Sequence, residues 1–359
     1  MKRSLAAIGG LTAEDLAKAA RLRYVSDQEA GIARKRNGSG FEYFSSRGSR
    51  VRNERQLRRI ENLVIPPAWR EVWICALPSG HLQATGRDAR KRKQYRYHDR
   101  WQEIANVAKF ARLVQFGKLL PTVRQAVARD LRGRELTAKR VMAGMVALLD
   151  LTGIRVGNEE YVKENGSYGL TTLRNRHVRF VRGGAELRFR AKGGFQREVL
   201  VEDKRLVRLI SQCAKLPGSH LFQYLDDEGK RHAVTASDVN DYLHELTGEE
   251  ITAKDFRTWK ASAMAVGQML TEAGKLTEEA SEGARKRLVR GVVNAAAELL
   301  SNTPTVCRAY YIHPGLTECF LAGSFAGHFD RFRPRSGGKL AADEQALVRF
   351  LRRWKPTVE

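Results

Sequence analysis

The stretch NTPTVCRAYYIHP (302–314) sets two tyrosines side by side, Tyr310 and Tyr311, between a Pro-marked break and His313-Pro314. The chemistry open to such a residue is attack of a phenol on a phosphodiester. A phenol is a poor nucleophile at neutral pH, because its pKa lies near 10. The attack also builds negative charge on the non-bridging phosphate oxygens. A site of this kind therefore needs fixed cationic donors aimed at the phosphate, and a proton donor for the leaving oxygen. Arginine suits the first task, since its planar fork stays charged and bonds oxyanions bidentately. Neighbours on a helix point about 100° apart, so the two tyrosines cannot serve one site together. Which of them would act stays open at this level.

Other strings supply the donors. TGIRVGNEEYVKENGSYGLTTLRNRHV (152–178) places Arg155 between one helical pattern and the next, with Tyr161 six residues on. The turn RAKGGFQ (190–196) projects Lys192 on a Gly-flanked tip. KDFRTWKASAM (254–264) opens a helix with Lys254 and Arg257. Asn302 closes a helix nine residues before Tyr311. His313, beside a proline, reads as structural, and Tyr310 as a packing residue if Tyr311 acts.

The elements that must hold these groups follow from periodicity. TAKRVMAGMVALLDLTG (137–153) puts Val141, Met142, Met145, Leu148 and Leu149 on one helical face. HVRFVR, ELRFRAK and FQREVLVE (177–202) read as a three-stranded meander turning at Gly183-Gly184 and Gly193-Gly194. From residue 203 onward the pattern is mainly helical, with a helix over 284–300 and a last one near 341–354 after the hydrophilic connector RFRPRSGGK. Asp226, Asp227 and Glu228 interrupt this run as a charged hairpin tip ending in Gly229, not as a metal cluster. Before residue 100, a short helix at 12–20 precedes extended runs such as GFEYFSS, REVWICAL and HLQATG, the signature of a small β-rich domain.

Composition points to the partner. Among 359 residues, 64 Lys+Arg against 40 Asp+Glu give a net charge of +24, which favours a polyanion. TGRDARKRKQYRYHDR (85–100) concentrates this charge and alternates Tyr95 and Tyr97 about Arg96, placing both rings on one face of an extended segment. Such a strip can grip phosphates while Gln94 reaches a base edge. Cys75, Cys213, Cys307 and Cys319 show no zinc-ligand spacing and read as reduced thiols. The start MKRSLAAIGGLTAEDLAKAA has too short an apolar run for a signal peptide, and no stretch approaches the ~20 apolar residues of a membrane span.

Taken in order, the junction strip and the four site strings resemble the type IB DNA topoisomerases of the short poxviral and bacterial form, from about residue 21 to 333. The resemblance implies an α+β chain. A small β-rich N-terminal DNA-clamp domain (1–100) would precede a larger, mainly helical catalytic domain (101–359) of the tyrosine recombinase/type IB topoisomerase kind, carrying the three-stranded β-meander. It implies Tyr311 as nucleophile, Arg155 and Arg257 on the scissile phosphate, and Lys192 as general acid. Asn302 stands where the family commonly has His; the bacterial branch has Asn at this place. Gln94, Tyr95, Tyr97 and Tyr161 match DNA-contact positions, with Lys254 as an auxiliary cation. The implied activity is relaxation of supercoiled duplex DNA through a 3′-phosphotyrosyl intermediate, with no metal, ATP or small-molecule cofactor. A monomer acting in the cytoplasm, nucleoid-associated and away from any membrane, completes the expectation. A tyrosine recombinase shares the chemistry but usually carries His-x-x-Arg where this chain has Lys254-Asp-Phe-Arg257. A non-catalytic nucleic-acid-binding protein would use the charge alone.

Overall fold

A computed structural model describes residues 11–89, 91–274 and 281–354. The first ten residues, with most of the apolar run at the start, and Arg90 of the basic strip lie outside them. The chain divides into two compact units, Met1–Arg112 and Leu113–Glu359.

The first unit opens with α1 (Ala13–Ala19), whose N-terminus is capped by the Thr12 hydroxyl accepting from the Asp15 N–H at 3.2 Å. An antiparallel sheet follows, built from β1 (Gly31–Asn37), β2 (Gly40–Phe44), β3 (Arg70–Cys75), β4 (Leu82–Arg87) and β5 (Lys93–Tyr97) in the order β2-β1-β3-β4-β5. Ile32, Val72, Ile74 and Ala84 form its core together with Ile60. Ile60 comes from α2 (Glu54–Asn62), a helix that the charged string ERQLRRIEN does not announce. One apolar residue suffices because Arg59 on the same helix docks by hydrogen bonds, to the Gln83 side chain at 2.7 Å and the Cys75 carbonyl at 2.6 Å.

Helix α3 (Asp99–Asp130) crosses the boundary between the units. In the second unit, α4 (Ala138–Thr152) starts at a Thr137 cap and ends at Gly153 in the left-handed conformation, φ +62°. The expected apolar face is buried, but so are Arg140, Ala143, Gly144 and Val146, so α4 is enclosed on nearly all sides. After α5 (Glu159–Asn165) comes the meander β6 (Val178–Val181), β7 (Gly184–Arg190) and β8 (Gln196–Val201), in register from Phe180↔Ala185 to Ala185↔Val201. Helix α6 (Lys204–Lys215) leads to the short hairpin β9 (Gln223–Leu225) and β10 (Arg231–Ala233), whose tip holds Asp226 to Gly229 as expected. Helices α7 (Ala236–Thr247), α8 (Ala253–Ala273), α9 (Glu282–Leu300), α10 (Pro304–Tyr310), α11 (Pro314–Leu321) and α12 (Ala342–Arg353) complete the unit.

Two contacts fix α8, the helix with Lys254 and Arg257. Phe116 of α3 meets Phe256 edge-on at 4.9 Å and Trp259 at 5.5 Å. Fully burying an apolar side chain of that size is worth about 1.5–3 kcal/mol. On the other side the Trp259 indole donates to Glu344 of α12 at 2.9 Å. Arg124 then joins Glu344 (2.7 Å) to Asp150 (2.7 Å), so one ion-pair network ties α3, α4, α8 and α12. Among the described residues no helix is long and apolar enough to cross a membrane, and no group of His, Cys, Asp or Glu could hold a metal ion. Cys75, Cys213 and Cys307 are buried thiols, and Cys319 is partly buried.

Candidate active site

Two helix ends meet in the second unit, and the site grows from them. The last carbonyls of a helix lack intrahelical partners and carry the negative end of its dipole, so they attract cations. Here they hold arginines. Arg257 donates to the Gly153 carbonyl at the end of α4 and, at 2.9 Å, to the Leu300 carbonyl at the end of α9. Arg155 donates to the Ser301 carbonyl at 3.2 Å and to Asn302 Oδ1 at 2.6 Å. Arg197 on β8 reaches the Thr152 carbonyl at 2.8 Å, the Ser301 hydroxyl at 3.3 Å and the Glu298 carbonyl at 3.4 Å. Among the described residues none of the three pairs with a carboxylate. Their charges are steadied by dipoles rather than cancelled, and so remain able to act on an anion.

The backbone at Arg155 is clamped from behind. Its carbonyl accepts from the Leu170 N–H at 2.8 Å, and the Val156 carbonyl accepts from the Thr171 N–H at 2.6 Å. This pairing needs glycine at 157, where φ is +108° and a Cβ would stand 2.8 Å from the Thr171 hydroxyl. Burial and the neighbouring Arg257 charge push the Arg155 guanidinium down to about 10, which leaves it protonated at neutral pH.

Tyr311 follows α10, and Ser262 of α8 locks it in place. The buried Ser262 hydroxyl donates to the Tyr311 carbonyl at 3.0 Å and accepts from the His313 N–H at 3.0 Å. The Arg257 guanidinium sits 5.1 Å from the centre of the Tyr311 ring. Burial raises the pKa of that phenol; the charge of Arg257, together with Arg155 and Lys254, outweighs it and holds the net value below the usual one. Tyr310 is 46% exposed, so the expectation that it packs is wrong: the turn of the helix that brings Tyr311 to the arginines sends Tyr310 to solvent. His313 is buried, and burial alone drives its pKa down to about 3, in keeping with a structural, neutral imidazole.

Tyr311, Arg155, Arg257, Lys254, Tyr161 and Lys192 line one open cavity of about 370 Å³. Lys192 stands at the tip between β7 and β8, where Gly193 and Gly194 both have φ +83°. Its ammonium donates to the Tyr161 hydroxyl at 3.1 Å and lies 4.5 Å from that ring's centre. Asn302 is not part of the cavity lining; it stands behind Arg155. Because Arg155 can only donate, Asn302 must face it with its oxygen. Its Nδ2 is then a buried donor with no hydrogen-bond partner among the described residues.

The first unit carries the other expected contacts. Tyr95 and Tyr97 share one face of β5, their rings stacked at 5.9 Å, and both are exposed. Gln94 turns its amide onto Asp88 at 3.0 Å, which leaves its carbonyl oxygen for any further contact. Sequence reasoning missed what stands behind the tyrosines: His81 lies 6.1 Å from Tyr97, stacks on Tyr24 at 4.2 Å and meets Trp101 at 4.6 Å. It also missed Arg197 and Ser262, whose partners are backbone atoms that leave no motif.

A tyrosine under uncancelled arginines, on a helical unit bearing a three-stranded meander, defines a class of DNA strand-transfer enzymes, and comparison with known proteins says which. The family described as eukaryotic DNA topoisomerase I, catalytic core, matches residues 98–315, and that described as bacterial DNA topoisomerase IB, N-terminal domain, matches residues 40–88. DNA topoisomerase 1B of Acanthamoeba polyphaga mimivirus is 34% identical over 289 residues, covering 79% of this chain and 85% of its own. DNA topoisomerase 1B of vaccinia virus (strain Copenhagen) is 20% identical over 255 residues, 70% of this chain and 75% of its own. The chain belongs to the type IB DNA topoisomerase family. The recombinase and non-catalytic alternatives give way to that membership.

Proposed function

We propose that this enzyme relaxes supercoiled duplex DNA with Tyr311 as its nucleophile. Tyr311 gives up its proton to solvent water in the open cavity, its phenolate oxygen attacks a backbone phosphorus, and the P–O5′ bond breaks as Lys192 passes a proton to the departing oxygen. Arg155 and Arg257 hold the non-bridging oxygens, and Asn302, which receives Arg155 from behind, turns its buried amide toward the phosphate as a neutral donor once DNA is bound. Lys254 and Tyr161 contact the strand near the break, while Gln94, Tyr95 and Tyr97 grip DNA from the first unit. The free strand turns about the intact one; the 5′-hydroxyl then attacks the phosphotyrosine and Tyr311 leaves. The energy of the first bond is held in the second, so the cycle needs neither ATP nor a metal ion. The reading extends to a monomer working on the nucleoid in the cytoplasm.

The observation that carries this reading is the Arg257 guanidinium set 5.1 Å from the centre of the Tyr311 ring, in a cavity that Arg155 also lines and where, among the described residues, no carboxylate pairs with either guanidinium. The test is plasmid relaxation in EDTA without ATP, followed by denaturant trapping and mapping of the linked peptide. Relaxation of positive and negative supercoils with DNA on Tyr311 is expected. Plasmid that stays supercoiled with folded protein bound, or a link through Tyr310, would overturn the assignment.

A further inference from the structure

Beside the reaction cavity lies a second one of about 340 Å³, lined by Tyr168, Arg174, Asn175, Arg176 and Ser219. Tyr168 lines both. Two segments distant in sequence build the second cavity: the Asn175 N–H donates to the Ser219 carbonyl at 3.2 Å, and its side-chain amide to the Gly218 carbonyl at 3.1 Å. The two arginines there differ. Arg174 is engaged, with Glu159 at 3.1 Å, the Ser219 hydroxyl at 3.0 Å and His220 at 2.7 Å. Arg176 is exposed and, among the described residues, pairs with no carboxylate, whereas Arg179 and Arg188 on the strands that follow both pair with Glu186.

Nor is Arg176 loose. It donates to the Tyr168 hydroxyl at 2.7 Å, with its guanidinium 5.7 Å from that ring's centre. The ring is wedged edge-on against His177 at 4.4 Å, and the His177 Nδ1 accepts from the Arg174 N–H at 3.0 Å. A guanidinium held by a phenol, with its charge left uncancelled, is preorganised for an anion. Phosphates follow one another along a strand at a rise of about 3.4 Å per nucleotide, so a strand whose scissile phosphate sits in the first cavity carries further phosphates past its rim.

We propose that Arg176, braced by Tyr168 at the mouth of the second cavity, binds a backbone phosphate of the DNA other than the one that is cut, and so sets the register of the strand over Tyr311. The proposal rests on the reading that DNA occupies the first cavity. Its role is positioning, since phosphate contacts fix register without adding chemistry.

The test measures non-covalent binding in a Tyr311→Phe background, where no link can form. Arg176→Ala should make the plot of log K against log salt shallower by about 0.9, the contribution of one neutralised phosphate. Duplexes carrying a single neutral methylphosphonate, scanned along both strands, should reveal one non-scissile position that weakens binding to the parent and costs Arg176→Ala nothing further. Tyr168→Phe, which keeps the ring and removes the bracing oxygen, should soften the same position. An unchanged slope, or the same scan for both proteins, overturns the subsite. Plasmid relaxation by Arg176→Ala with Tyr311 intact would then show that the topoisomerase reading survives; failure of the unaltered enzyme to relax DNA would show instead that the reading itself is wrong.

Discussion

Arg257 donates to the Leu300 carbonyl at 2.9 Å while its guanidinium carbon lies 5.1 Å from the centre of the Tyr311 ring. One side chain thus reports the positions of two helix ends to Tyr311. Arg257→Lys keeps the charge but cannot hold two carbonyls and a phenol at once. Removing one preorganised donor of this kind costs about 10²–10³ in rate. We expect a loss of that size in single-turnover cleavage of a labelled duplex, with binding retained. A Lys variant cleaving at the parental rate would show that charge alone is enough.

The same pair sets a pH dependence. Tyr311 ionises below its usual value of 10 because Arg257, Arg155 and Lys254 outweigh its burial. Cleavage limited by the phenolate fraction should therefore rise with pH and level off before pH 10. Arg257→Gln removes the strongest opponent of burial, which raises the phenol's pKa, so the inflection should move to higher pH. A profile that keeps its midpoint while losing amplitude would mean that Arg257 acts on the phosphate only.

Arg197 offers a stability test. It joins β8 to the Thr152 carbonyl and to the end of α9, the two places from which Arg155 and Asn302 start. Hydrogen bonds from charged groups contribute about 1.5–3 kcal/mol each way they are counted. Arg197→Met should lower the unfolding free energy from urea titration by about 1.5–3 kcal/mol, seen as a lower midpoint at unchanged slope, and slow cleavage, since β8 also carries the hairpin of Lys192. An unmoved midpoint would show that the helix ends hold without it.

Much of this site was legible in the sequence. The strings that bring Arg155, Lys192, Arg257 and Tyr311 to one cavity stood out through their resemblance to a known family, and paired glycines at 183–184 and 193–194 announce the meander that lifts Lys192. What was not legible depends on backbone atoms or on weak patterns. Arg197 and Ser262 bind carbonyls and amides, which every residue has. The charged helix at Glu54–Asn62 buries only Ile60, too little for a periodic signal. Tyr310 was misjudged because its fate depends on where the helix from Pro304 stops, and Tyr311 already leaves helical geometry with φ −128°.

Asn302 gives the last test, and the structure sharpens it. Its oxygen is taken by Arg155 at 2.6 Å, and its amide N–H₂ is buried behind that guanidinium with no partner among the described residues, so it meets a phosphate oxygen only if the side chain turns into the cavity. Asn302→Asp keeps an acceptor for Arg155 and removes the donor. It should fold as the parent does and cleave more slowly, because a carboxylate there also repels the phosphate. Asn302→His restores a donor, and one that titrates: a free imidazole has a pKa of about 6.5. Beside the Arg155 guanidinium the charged form is disfavoured, so its midpoint should fall below that value. Cleavage by Asn302→His should then gain a step on the acid side of pH 6.5 that the parent lacks, read as single-turnover rate against pH. A step above pH 6.5 would mean that the phosphate, rather than Arg155, dominates the field at this position, and no step at all would remove the amide from the reaction.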